Sequence, residues 1–358
     1  MDRFAAIAVN LVSVEVNKKM RKKLSIAYFP FENKNNRYTD NFKKILSGFG
    51  DIAEAPPLKN VLQRFRFRRF DVLILNWSDN NFVDEKSGAI SPYGVVKEFF
   101  RIAVYKIISR KLVFVRHNVY PHEAKGVTRA RAKKLIEYYE KCFDLCWVHS
   151  GHMVERKRLY VPHPLYQAAS ADTDSQIDTR LRAELSLPSE YFIVFGRIQS
   201  YKKIDQLIEQ LPADMHLLVC GSCGDDDYKQ KLIAYGKPNV TIMAEFISDE
   251  LAEILMRGSC GVVICHADDD MIVSGSIVFA ISLGIPVLAI ETPFVRWFQD
   301  TINAKMIVAA DDFPDLIKRM RVHQSSISSC DVRISQQHFS DQAVSSHVAS
   351  SFDRLNLA

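Results

Sequence analysis

The chain reads as an α/β protein made of two doubly wound parallel-sheet domains that face a cleft, with a helix at its C-terminal end. Three observations lead there. Short apolar runs alternate with helical stretches along most of the 358 residues, which is how a parallel sheet with helices on both faces reads. The alternation breaks over a polar stretch at 166–189 and restarts at Tyr191. The charge divides as well: residues 1–150 hold 28 Lys and Arg against 15 Asp and Glu, a net of +13, and residues 151–358 hold 19 against 27, a net of −8. A basic front and an acidic back imply two bodies with different partners.

In the first half, strands are expected at 24–29, 72–75, 112–115, 145–148 and 158–161. Helices are expected at 39–49, 93–109 and 129–143. Polar exits follow several strands: 30–36, then Asn76-Trp77-Ser78-Asp79, then Arg116-His117-Asn118-Val119-Tyr120-Pro121-His122-Glu123. The second half offers strands at 191–195, 216–220, 240–243, 261–265, 287–290 and 306–308. A last helix over 340–355 carries a seam of Val344, Val348 and Phe352. The expected division is 1–165, a linker at 166–189, a second domain at 190–339 and a helix at 340–358.

Composition narrows the class. A hydrophobic content of 47% over this length can bury two ordinary cores. Seven cysteines, an odd number placed mostly in apolar runs, fit reduced thiols in a cytoplasmic protein. Cys220-Gly-Ser-Cys223 has metal or redox spacing, but no second Cys or His pair accompanies it. No uncharged apolar run approaches the roughly 18 residues of a membrane span. The apolar stretch 4–16 precedes its lysines and arginines, the reverse of a secretory signal, and reads as a leader before the first strand.

Two stretches interleave cations with aromatics: Arg64-Phe-Arg-Phe-Arg-Arg-Phe70, and 97–111 at helical spacing with a basic face. That mixture fits an anionic membrane surface or a nucleic acid. It also fits a solvated helix face over a core-facing aromatic stripe.

Two phosphate-type sites stand in the second half. The strand ending at Phe195 empties into Gly196, Arg197, Lys202 and Lys203 just before an apolar helix. Glycine admits close backbone approach, the cations neutralise charge and the helix start adds its dipole. About 75 residues on, Ser274-Gly275-Ser276 opens a helix that Gly284 stops before Pro286. Two such sites at the carboxyl ends of strands suit a diphosphate lying across the top of a sheet.

Gly196-Arg197-Ile198-Gln199-Ser200-Tyr201-Lys202 resembles the Gly-Arg-x-x-x-x-Lys donor loop of GT-B glycosyltransferases, enzymes of two Rossmann-like domains. Arg116 to Glu123 resembles the His-Asn-x-x-Pro-His loop of bacterial polysaccharide glycosyltransferases. Ser274 to Val287 resembles their sugar-nucleotide helix. The resemblance runs over most of 24–300 and is nearest to the family of the xanthan-assembly β-mannosyltransferase. It implies a GDP-mannose donor, with a UDP-sugar as the other option. It also implies a lipid-diphosphate-linked acceptor and a cytoplasmic enzyme peripheral on the inner face of the plasma membrane.

There are departures. The two glutamates that the large retaining family places eight residues apart are Met271 and Phe279 here, which points to an inverting enzyme gripping its donor through Ser274, Gly275 and Ser276. The glycine usual after the loop lysine is Lys203, so either lysine can face the phosphates.

Sugar transfer leaves charge on the departing nucleoside diphosphate, and positioned cations stabilise it. Arg197 and Lys202 are expected in that role. An inverting transfer needs a base for the acceptor hydroxyl. Asp79 and Glu123 both lie just past a strand end, with Asp79 preferred because it follows Trp77 in a short exposed turn, while His117 and His122 are candidates to bind the acceptor, orient a carboxylate or touch the donor phosphate. Phe246 and its neighbours Glu245 and Ile247 are expected near the nucleotide base, and Glu291 near a ribose or sugar hydroxyl. With no Asp-x-Asp at a strand end, neither a metal nor another cofactor is expected, although Asp268-Asp269-Asp270 could take a divalent ion.

Two other classes stay open. A phosphorylase or epimerase-like enzyme acting on soluble sugars would not need the basic-aromatic face. A nucleic-acid-binding or scaffold protein on the same fold would not need Arg197, Lys202 and the Ser-Gly-Ser site together, and no nucleic-acid partner is expected.

Overall fold

The structure, a computed structural model, describes residues 23–33, 37–63, 70–124, 126–167, 175–266, 272–302, 304–322 and 327–357. The leader, most of the first basic-aromatic stretch, Asp268 to Asp270 and Met271 lie outside the described residues.

The first domain runs β1 (Leu24–Phe29), α1 (Tyr38–Leu46), β2 (Gly50–Glu54), α2 (Leu58–Gln63), β3 (Phe70–Asn76), α3 (Pro92–Ile108), β4 (Ser109–Arg116), α4 (Val127–Glu140), β5 (Leu145–Val148) and β6 (Arg158–Tyr160). Its strands are parallel in the order β2-β1-β3-β4-β5-β6. After α5 (Ser175–Glu184) the second domain runs β7 (Phe192–Phe195), α6 (Ile204–Gln210), β8 (Leu217–Cys220), α7 (Asp226–Ala234), β9 (Val240–Met243), α8 (Asp249–Arg257), β10 (Gly261–Ile264), α9 (Gly275–Leu283), β11 (Val287–Ile290), α10 (Pro293–Ile302), β12 (Ile307–Ala310) and α11 (Phe313–Val322). Its parallel order is β12-β11-β10-β7-β8-β9. Helices α12 (Ser329–His338) and α13 (Asp341–Arg354) close the chain.

Each sheet reverses its winding once, between β1 and β3 and between β7 and β10. Open α/β sheets bind ligands outside the carboxyl ends of their strands at such points. The exits of these strands supply most of the site described below.

Four- to eight-residue strands rich in Val, Ile and Leu, buried on both faces, explain why most strands were legible. β2 was not expected. Its sequence, Gly-Asp-Ile-Ala-Glu, carries two acids, and as an edge strand paired only with β1 it is half exposed. The segment read as helix up to 49 ends at Leu46 to make room for it. α13 does not pack on the domain it follows in sequence. Val344, Val348 and Phe352 join the first domain's core beside Ile26, Ile74 and Trp147. The Trp147 indole donates to Ser351 Oγ at 3.1 Å, so the chain end crosses back and ties the two domains together.

Candidate functional site

A cleft of about 920 Å³ lies between the carboxyl ends of the two sheets. Its second-domain wall is built on the exit of β7. Gly196 has φ +103°, and its N–H donates to Cys220 O at 3.1 Å. Gly221, φ +139°, backs onto it so closely that a Cβ there would lie 2.3 Å from Gly196 O. A Cβ on Gly196 itself would stand 2.9 Å from Ser276 Oγ and 3.5 Å from Lys202 Nζ. The bare glycine therefore leaves room for the Lys202 amine over the strand end. Ser276 Oγ donates to Phe195 O at 2.8 Å, fixing the start of α9 to the exit of β7. Ser274 caps α9, its side chain accepting from the Ile277 N–H, and Gly284 ends the helix at φ +71°. The first N–H groups of α9 thus open onto the same wall as Lys202.

Half-buried Lys202 has its pKa lowered to about 8, mainly by burial, with Cys265 acting the other way and Arg197 adding to the fall. It still carries its charge at neutral pH. His266, just past β10, is held at about 3 by burial and then by Lys202, His122 and Lys203. His122, from the first domain, stacks on Tyr201 at 4.8 Å with planes 3° apart. The surrounding cleft, then Lys202 and Arg197, lower its pKa, while the residue itself stays exposed. Both imidazoles are neutral, so the positive charge stays on the lysine and arginine.

The first-domain wall is of another kind. Trp77 follows β3 in the left-handed region, φ 51°. Its indole stacks on His117 at 4.3 Å with planes 19° apart. Asn76 Nδ2 donates to Phe29 O at 3.2 Å, so its Oδ1 accepts from His117 Nε2 at 3.0 Å. That leaves His117 Nδ1 as an acceptor. Behind it, His149 Nδ1 donates to Val161 O at 2.8 Å and Nε2 takes the Tyr38 hydroxyl at 2.9 Å. His163 Nδ1 donates to Pro164 O at 2.7 Å. Burial, then His149 and His163, push His117 well down; burial first also takes His149 to about 4 and His163 to about 3. Asn33, Asn80, Asn118 and Tyr120 continue this aromatic and amide-rich wall, with Arg129 over the Tyr120 ring at 5.5 Å and Arg37 at its edge.

Two ion-pair straps cross the cleft. Arg197 reaches Glu85 at 3.5 Å and Glu123 at 3.9 Å. Arg37 pairs with Asp249 at 2.7 Å and also with Glu250.

Gly196, Arg197, Lys202, Phe246, Ser274, Gly275, Ser276, His117 and His122 therefore come together in the cleft. Asp79 does not. It is 2% exposed behind Trp77, with burial raising its pKa to about 6 against the pull of its own backbone N–H and Arg116. The turn expected to be exposed is a 3₁₀ turn in which Ser78, Asp79 and Phe82 are buried. Glu123 is held at the rim by Arg197. Glu291 pairs with Arg296 and does not line the cleft. Lys203, φ 56°, sits at the N-cap of α6 and leaves the cleft to Lys202. Trp77, Arg129, His163, Tyr166 and His266 line it without having been expected to. For His266 the signal was its place at the end of the strand where the winding reverses. Among the described residues no group of three or more His, Cys, Asp or Glu is placed to hold a metal ion.

No protein-family model and no curated protein matches the sequence. Solved structures do match. HepE from Anabaena, in complex with UDP-glucose, superposes with a TM-score of 0.62 at 14% identity over 92% of this chain and 100% of that one. A glycosyltransferase from Rickettsia africae gives 0.62 at 12% identity over 93% and 98%. AviGT4, a glycosyltransferase of avilamycin A biosynthesis, gives 0.52 at 13% over 93% and 98%. The fold is GT-B. Within it, the cationic wall belongs to the second domain and the aromatic wall to the first.

Proposed function

We propose that the protein transfers one sugar from a nucleotide-sugar donor to a saccharide acceptor linked to a lipid diphosphate, in surface-polysaccharide assembly at the inner face of the plasma membrane. The observation that carries this reading is the convergence of Lys202, the bare Gly196 and the start of α9 on one wall. The Lys202 ammonium and the N–H groups of α9 would hold the diphosphate and stabilise the charge it gains as the glycosidic bond breaks. Arg197 would join them on leaving Glu85 and Glu123. The aromatic and amide wall opposite suits a hydroxyl-rich ring, with the neutral His117 a hydrogen-bond partner for an acceptor hydroxyl. Inversion at the sugar carbon and independence of metal remain part of the proposal.

The resemblance in the sequence favours GDP-mannose, whereas HepE was solved with UDP-glucose, so both donors enter the test. The purified protein is incubated with UDP-glucose, GDP-mannose or UDP-glucuronate, with and without a bacterial lipid extract, and release of nucleoside diphosphate is followed. Release from one donor, accelerated by the extract and lost in Lys202→Ala, is expected. No release from any donor, together with salt-sensitive retention on RNA, would favour the nucleic-acid-binding alternative.

A further inference from the structure

Helix α3 is amphipathic in an unusual sense. Its inner side, Ile102, Tyr105 and Ile108, packs in the first domain's core, and its charged pair Glu98–Arg101 is buried at 3.0 Å. Its outer side is apolar: Tyr93 is 78% exposed, Val96 69%, Phe100 48% and Ile107 64%. With exposed Ala103, these positions fall within a sector about 80° wide at 3.6 residues per turn. The stripe is roughly 21 Å long at 1.5 Å per residue. Lys97 lies beside one edge of it and Lys106 beside the other.

Helix α4 is the neighbour on the same face of the sheet. Both helices pack in one core cluster, and Phe99 meets Tyr139 at 5.5 Å. The outer side of α4 exposes Arg131, Lys134 and Tyr138, with Lys141 over the Tyr138 ring at 4.6 Å. An apolar stripe edged by lysines therefore runs beside a basic one, both on the outside of one helical layer.

We propose that α3 and α4 form a docking surface for an anionic lipid bilayer, with the α3 stripe lying in the headgroup region and the cations meeting lipid phosphates. This deepens, and rests on, the membrane-linked part of the proposed function. The chemistry selects the occupant. Val96 and Ile107 offer nothing to a nucleic acid, whereas aliphatic and aromatic side chains flanked by lysines are what an interfacial helix buries. No described helix is long and apolar enough to cross a membrane, so α3 lies on the surface. It follows the exit of β3, so its first turn lies at the cleft end of the sheet.

The test is co-sedimentation of the full chain with vesicles of phosphatidylcholine alone or mixed with phosphatidylglycerol. The wild type is compared with Phe100→Ser/Ile107→Ser and with Lys106→Glu/Lys134→Glu, whose exposed positions should tolerate the change. Binding to the mixed vesicles alone is expected, weakened roughly tenfold or more in each variant and by added salt. The nucleotide-induced rise in melting temperature is measured on the same samples. Its persistence in both variants separates a docking failure from a failure of the donor reading. Wild-type sedimentation in both variants, or no binding to either vesicle at low salt, overturns the proposal. So does a lipid-free dimer that the serine variant dissociates, which would assign the stripe to a second copy of the chain.

Discussion

The two walls of the cleft solve opposite problems. The second-domain wall keeps charge: Lys202 and Arg197 stand at a glycine turn and a helix start. The first-domain wall suppresses charge: His117, His149 and His163 are buried, hydrogen-bonded and neutral. Beneath it the first domain buries an ion network of Arg116, Glu140 and Arg158, with Arg116 Nη1 3.1 Å from Glu140. One wall concentrates its cations at a glycine turn and a helix start, and the other is mainly aromatic and amide, with Arg129 held over Tyr120 and Arg37 tied to Asp249.

The largest expected consequence is an acid lability greater in the first domain, which buries His117, His149 and His163, than in the second, whose wall buries His266. A buried histidine whose folded pKa lies below its ordinary value of about 6.5 binds its proton mainly in the unfolded chain. Stability is therefore lost as pH falls from about 6.5 towards 4, at roughly 2 kcal/mol per imidazole by pH 5. Hydrogen exchange at pH 5 should show β4 and β5, which run into His117 and His149, losing protection before β7 and β8. Simultaneous loss in both sheets would break the contrast.

Lys202→Ala comes next. Removing a charged hydrogen-bond donor of about 2 kcal/mol weakens nucleotide binding roughly thirtyfold in a calorimetric titration. In the wild type, a bound diphosphate favours the protonated lysine and raises its pKa above the free value of about 8. Affinity should hold below pH 8 and fall as pH rises through 8 to 9; a flat profile would remove Lys202 from the phosphates.

Trp77→Ala should raise the acceptor's KM roughly tenfold and leave nucleotide affinity unchanged, since its ring lies on the opposite wall. Equal loss of both would mean that the walls do not divide the work. Glu123→Gln is the smallest effect. Freed from one exposed ion pair, Arg197 should tighten nucleotide binding by about twofold, and the gain should vanish at high salt.

The same contrast explains what the sequence disclosed. The second-domain wall is legible because its parts are contiguous. Phe195 to Lys202 is one βα turn, Ser274 to Ser276 is one helix start, and glycine with cations at such a turn has few other readings. The first-domain wall is assembled from Asn33, Trp77, His117 and His163, each on a different strand exit, so local spacing records the His117 loop but not how the four exits combine. Asp79 was misplaced for a related reason. Residue type and proximity to a strand end do not say which way a short turn folds, and here Phe82 and Ser78 draw it into the core. β2 was hidden by its edge position, which tolerates acids that an inner strand would not.

The central claim is that nucleotide binds the cationic wall alone. Hydrogen exchange with saturating UDP or GDP, whichever raises the melting temperature more, tests it most directly. The account predicts slowed exchange at 196–204 and 274–278, with 77–82 and 117–122 unchanged. Protection of the Trp77 and His117 segments instead, or no protection with either nucleotide, would contradict it.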